Sequence, residues 1–250
     1  MRLLVTMSII IVLISIIITV VLLATDTDTG DFKIKYKGGS KKYESSIKSG
    51  INRWSSIGTG GVSLTFDTYS ENTNTLARTI GRTIEINEHM FNGRSGIEKI
   101  LTIAHEVGHA LGIGVGWQNK YLSDINSGVP YLSDTLYPKT AKTYIDKVRP
   151  AGKTIPGPAL HNTGEPGSKY VHWDGTDDYG TKRDLMTATI STTSSVISEL
   201  DLVYLEEIGK TVDITQGQTL YGTYFSLITG MIIGDNEIKD FCGNCSGCLH

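Results

Sequence analysis

His105-Glu106-Val107-Gly108-His109-Ala110-Leu111-Gly112 is the stretch on which the reading of this 250-residue chain turns. Two histidines four residues apart lie on one face of an α-helix, so both imidazoles reach one metal ion. Neutral imidazole at a site with an open coordination position suits catalytic Zn²⁺. The glutamate beside the first histidine is then placed to take a proton from a water held there. The pattern points to zinc-assisted hydrolysis, with His105 and His109 as ligands and Glu106 as general base.

The flanking sequence predicts the helix that this spacing needs. Ser95-Gly96-Ile97-Glu98 matches a capping box and marks the helix start. Ile97, Ile100, Leu101, Ala104, Val107, Gly108 and Leu111 recur at helical spacing as one apolar stripe. His105, Glu106 and His109 fall off the centre of that stripe, at the boundary where a cleft would lie. Gly112 is placed to stop the helix in a left-handed conformation.

A zinc site of this kind needs a third protein ligand. The compact spacing would put it three residues past Gly112, at Val115, which cannot bind metal. The other histidines are His89, His161, His172 and His250. His89 precedes the helix at what reads as a strand exit, and His250 ends the chain. The choice is between His161 and His172. The surroundings favour His172, which sits in Lys169-Tyr170-Val171-His172-Trp173-Asp174 and is followed by Arg183-Asp184-Leu185-Met186-Thr187-Ala188. A methionine in a tight turn beneath the metal is a second hallmark of zinc peptidases with this helix. Met186 stands out for its company; the other methionines read as core filler.

With these pieces in place the chain resembles the leishmanolysin-type metallopeptidases, the metzincin branch in which a long insertion separates HExxHxxG from the third histidine. Residues 105–114 are similar to the active-site helix, and Val171-His172-Trp173 to the His-Trp third-ligand motif. Asp184-Leu185-Met186-Thr187 resembles the Met-turn, and residues 198–209 resemble the helix that follows it. The resemblance implies one catalytic Zn²⁺ on His105, His109 and His172, with Met186 a hydrophobic floor that does not bind metal. It implies a protein or peptide substrate, and an α+β, metzincin-like zincin fold. In that fold a small twisted sheet and helices lie above the cleft and an irregular half lies below. An edge strand over the cleft would pair with an extended substrate. The catalytic region has no cysteine, unlike the disulfide-rich parasite members, and nothing supports a cysteine-switch latency. Asp174 follows the His-Trp pair directly, where family members carry an acidic residue. Two rivals stand beside this reading. One is a gluzincin, with Glu206 or Glu207 supplying a carboxylate ligand. The other is a non-catalytic, membrane-anchored adhesion or structural protein on a metallopeptidase scaffold.

Length suits one domain with short additions. A net charge of −3 gives no reason to expect nucleic acid as a partner. Leu3–Ala24 carries no charge and is dominated by Ile, Leu and Val. As a helix it would be about 33 Å long, enough to cross a bilayer. It reads as an uncleaved transmembrane signal-anchor in preference to a cleaved signal peptide. The catalytic domain is then expected to be extracellular, lumenal or on a virion surface, and secreted if the segment is cleaved. Cys242, Cys245 and Cys248 crowd the C-terminus in a number that closes no disulfide framework. The chain divides into the membrane segment (1–25), a polar linker (26–31), a catalytic domain (32–215) and a C-terminal extension (216–250).

Within the catalytic domain, Phe32, Ile34 and Tyr36 alternate as a strand, and Tyr43, Ile47, Ile51 and Trp54 predict a helix over 41–57. Strands are expected at 62–69 and 79–87, the second with Ile80, Thr83 or Ile84, and Ile86 facing inward. Residues 113–170 read as a largely irregular insertion that shapes the substrate pockets, with a short helix at 139–147. A helix is expected at 198–209 with Ser198 as its cap, and a closing hairpin at 219–234.

Overall fold

The structure, a computed structural model, describes residues 31–123, 128–164, 167–192 and 195–218, with the backbone of 237–238. The membrane segment, the hairpin expected at 219–234 and the cysteine cluster lie outside these residues. Among the described residues no helix is long and apolar enough to cross a membrane.

The architecture is α+β. Four strands, β1 (Lys33–Tyr36), β2 (Ser63–Tyr69), β3 (Ala77–Ile80) and β4 (Thr83–Asn87), form a sheet in the order β1-β2-β4-β3. β1, β2 and β4 run parallel, and β3 runs antiparallel along one edge. Parallel neighbours need a crossover, and between β1 and β2 it is α1 (Glu44–Ser55). Alternation decides the faces: Leu64 and Phe66 of β2, Ile84 and Ile86 of β4, and Ala77 and Thr79 of β3 are buried. On the β1 edge Lys33 and Lys35 are exposed, and charged side chains of this kind discourage pairing with another chain.

The continuous strand expected over 79–87 is instead a hairpin. Gly81, with φ of +58°, and Arg82 make a two-residue turn, and Ile80 pairs with Thr83 across it. Positive φ at the first turn position is what such tight hairpins require, and glycine supplies it without strain. Ile84 and Ile86 face inward as expected. Ile80 does not; it ends the edge strand and is 42% exposed.

α3 (Gly96–Leu111) runs beneath the sheet against α1. Its start is the expected capping box: Ser95 N–H donates to Glu98 Oε2 at 2.7 Å, and Glu98 N–H to Ser95 Oγ at 3.3 Å. It ends at Gly112, whose φ of +122° lies in the region that favours glycine. The two helices cross closely at Gly50, where a Cβ would fall 2.6 Å from Ile103 Cγ2. Trp54, fully buried, donates its indole N–H to Ala104 O at 2.6 Å and locks the crossing.

His89 lies just past the exit of β4, as expected, exposed on α2 (Glu88–Phe91), a single turn that follows the strand directly and buries Phe91. The insertion carries more regular structure than its composition suggests. β5 (Tyr121–Ser123) pairs with β6 (Pro130–Leu132), and α4 (Pro138–Lys147) forms where a helix was expected, with proline at its start. α5 (Glu199–Glu207) is capped by Ser198, which forms a second capping box with Asp201. Trp117, Trp173 and Tyr204 pack together under it, with the two indoles 4.2 Å apart. Two residues at Ile190–Ser191 (β7) pair with 237–238 (β8).

Candidate metal centre

α3 presents His105 and His109 one turn apart, and the segment after the insertion brings His172 against them. The Nε2 atoms of the three rings lie 3.0 Å (105 to 109), 3.1 Å (109 to 172) and 3.2 Å (105 to 172) from one another. Each ring turns its other nitrogen to a main-chain carbonyl: His105 Nδ1 to Leu185 O at 2.7 Å, His109 Nδ1 to Ile113 O at 2.9 Å, and His172 Nδ1 to Ser168 O at 3.0 Å. A carbonyl only accepts, so each Nδ1 carries the proton and each Nε2 presents a lone pair. Three lone pairs then converge on one point, an arrangement that repels itself unless a cation sits between them. The triad can hold a metal ion, and it is the only such group of three among the described residues.

Burial keeps the rings neutral. It pushes His105 down to about 3, with His109 adding to the effect, and His109 down to about 4. His172 is held well below the usual histidine value, first by burial and then by the other two rings. Neutral imidazole is the ligating form.

Glu106 lies beside the triad and is also fully buried. Burial raises its carboxyl to about 7, opposed by a hydrogen bond from Thr79. Thr79 Oγ1, from the edge strand β3, donates to Glu106 Oε2 at 2.6 Å and also lies 2.9 Å from Glu106 O. The expected cleft boundary is thus an interior position: His105, Glu106, His109 and His172 are all at most 1% exposed.

His172 is held from both sides. His161 N–H donates to His172 O at 3.0 Å, and Tyr170 N–H returns to His161 O at 2.8 Å. Trp173 N–H donates to Met186 O at 3.1 Å. Tyr170, two residues before the ligand, has φ of +61°, the only positive value at a non-glycine residue among the described residues, in a region that such residues enter only when their surroundings force it.

Met186 is fully buried and packs against Gly108, between the two ligands of α3. Its turn is fixed by Asp184, whose Oδ1 accepts Met186 N–H at 2.6 Å and whose Oδ2 accepts Ser198 Oγ–H at 2.5 Å. Asp201 accepts Trp173 Nε1–H at 2.9 Å. The two buried aspartates therefore tie the methionine turn, the His172-Trp173 segment and α5 into one unit.

The alternative ligands lie elsewhere. His161 turns Nε2 to Thr163 Oγ1 at 3.2 Å, although its backbone touches His172. Glu207 caps α4, accepting Lys139 N–H at 2.8 Å, Thr140 N–H at 2.9 Å and Thr140 Oγ–H at 2.6 Å. Glu206 pairs with Lys139 at 3.0 Å. Asp174 accepts from Thr176 within its own turn, and Val115 is partly exposed and carries no donor. The sequence reading missed Thr79, Asp184 and Asp201. Thr79 left one usable sign, a polar residue at an inward position of a strand. Asp201 left the Ser-x-x-Asp of the second capping box, and Asp184 stood in the methionine-turn segment without a role assigned to it.

Neither the known protein-family models nor the curated protein sequences give a match to this chain. The functional argument rests on the site.

Proposed function

We propose that this protein is a zinc-dependent endopeptidase of the leishmanolysin-like metzincin type. The observation that carries the reading is the convergence of three neutral Nε2 lone pairs beside a carboxylate gripped from an edge strand. Three imidazoles with room for one further ligand suit catalytic zinc. In a tetrahedral site with bonds of about 2.0–2.1 Å, neighbouring nitrogens are about 3.3 Å apart; here they are 3.0, 3.1 and 3.2 Å apart. When bound, zinc lowers the pKa of a coordinated water and polarises the scissile carbonyl.

The chain's own residues do the rest. His105, His109 and His172 hold the ion, each fixed in one tautomer by its carbonyl. Glu106 takes the proton of the attacking water and delivers it to the leaving amine. Met186 fills the space against Gly108 without binding metal. β3 offers an open edge on which an extended peptide can add as a strand. The proposed setting remains a membrane-anchored domain exposed outside the cytoplasm.

One observation favours a second reading. All four site side chains are sealed from solvent, whereas a catalytic site must admit its substrate to the metal's open position. A non-catalytic protein with a structural metal centre would look the same in this respect. Proteolysis of a generic protein substrate by the purified full chain separates the two. Cleavage abolished by a zinc chelator and by Glu106→Ala, with the variant still binding zinc, supports the peptidase. Metal-loaded, folded protein without cleavage supports the structural centre.

A further inference from the structure

We infer that Thr79 is the positioning residue of the general base, its hydroxyl fixing the Glu106 carboxylate from the strand on which a peptide would pair. This rests on the peptidase reading above. β3 is the outermost strand on its side of the sheet. The turn at Gly81–Arg82 closes on the Ile80–Thr83 pair, and a two-residue hairpin makes that closing pair exchange hydrogen bonds. By alternation, Thr79, opposite Ile84, turns its N–H and C=O away from β4 and toward the open edge.

The side chain of Thr79 goes inward and is 4% exposed. Of the two inward residues of β3, Ala77 and Thr79, only Thr79 brings a polar atom. Its single hydroxyl proton has two acceptors within reach, Glu106 Oε2 at 2.6 Å and Glu106 O at 2.9 Å. The carbonyl is already an acceptor in the helix ladder, and the carboxylate makes the shorter, charge-assisted bond. A valine would fill the same space, so the hydroxyl is not there for packing. One residue thus offers its main chain to an incoming strand and its side chain to the proton-transferring group. A peptide added along β3 would hold both in register.

The test uses the full chain loaded with cobalt or zinc, with Thr79→Val, Thr79→Ser and Thr79→Ala compared. Two readouts are taken: peptide kinetics on the zinc form, and binding of acetohydroxamate to the cobalt form, followed in the visible spectrum. Acetohydroxamate chelates a metal and passes its hydroxyl proton to a neighbouring carboxylate, so it reports on Glu106 without turnover. Thr79→Val is expected to retain one metal per chain and a near-normal KM. Its kcat should fall about 10- to 100-fold, the loss typical of a displaced catalytic group. Its acetohydroxamate Kd should rise about tenfold. Thr79→Ala should behave likewise, and Thr79→Ser should recover both quantities to within about threefold.

Unchanged acetohydroxamate affinity in Thr79→Val and Thr79→Ala overturns the inference, as does a Thr79→Ser protein no better than Thr79→Val. A wild type that binds metal and acetohydroxamate but cleaves nothing overturns the peptidase reading instead. The acetohydroxamate comparison then still decides whether Thr79 orients Glu106.

Discussion

Met186 lies directly against Gly108, so closely that a Cβ on residue 108 would fall 2.9 Å from both Met186 Cε and Trp54 Cζ2. Alanine is ordinarily the better helix residue by about 1 kcal/mol. Here that gain is outweighed, because the methyl has two buried side chains to displace. Gly108→Ala is expected to lower stability by about 1–3 kcal/mol, the range for overpacking a well-filled core. The urea midpoint measures it. A midpoint equal to or above wild type would mean that the helix and the methionine turn are not in contact.

The two histidines of the loop before the methionine turn should behave oppositely on substitution. His172→Ala removes one of the three converging nitrogens, and zinc affinity should fall more than about 100-fold. His161→Ala should leave affinity within about tenfold, because its ring faces Thr163. Competition with a chromogenic chelator gives both constants. The reverse ranking would transfer the third-ligand role to His161.

Asp184 and Asp201 give the metal-free protein a specific pH dependence. Burial raises both carboxyls, Asp201 to about 6, and the charge of Asp201 raises Asp184 further. A carboxyl raised on folding binds more protons in the native state than in the unfolded one. Its contribution is therefore fullest below about pH 4, the unfolded Asp value, and is lost as pH rises through the folded value. Asp184→Asn keeps a neutral group there at every pH. Relative to wild type, it should gain about 1–3 kcal/mol of stability between pH 5 and pH 8 in chelator, where the histidine terms cancel in the comparison. Urea unfolding at the two pH values checks it, and a constant difference would show that folding does not raise the Asp184 carboxyl.

Glu207 tests the helix-capping assignment and the gluzincin alternative together. It satisfies two main-chain N–H groups and a hydroxyl at the start of α4. Glu207→Ala should cost about 1–2 kcal/mol, the loss typical of a strong N-terminal cap. Zinc stoichiometry should stay at wild-type level. Lost zinc with unchanged melting would place Glu207 on the metal.

What the sequence disclosed follows from which forces are local. The helix bearing His105 and His109 was legible from end to end, because a capping box, a 3.6-residue stripe and a terminating glycine all lie within it. His172 was found through its neighbours, and its ring does meet the other two. The hairpin at Gly81–Arg82 was missed because Ile80, Ile84 and Ile86 fall on one parity, interrupted only at Arg82, and so read as one strand across the reversal. Gly81 was the signal to weigh. The sealing of the site was not legible either: it depends on the chain returning after the insertion, which brings His172 against the helix and the Leu185 carbonyl to His105, 80 residues away in sequence. Thr79 reaches Glu106 across 27 residues, and the bonds of Asp184 to Ser198 and of Asp201 to Trp173 span 14 and 28, so no spacing rule exposes these roles.

All three imidazoles take their orientation from the main chain, at Leu185, Ile113 and Ser168. The side chains at those three positions do not themselves orient the rings; all three are buried, so substitution there acts through packing and the backbone path. The path of the backbone does orient them. A one-residue insertion or deletion beside any of the three carbonyls would rotate an imidazole off the common point while leaving every ligand present. For a site built like this, counting ligands in a related or redesigned chain is a weaker guide to function than checking that the three loops keep their length.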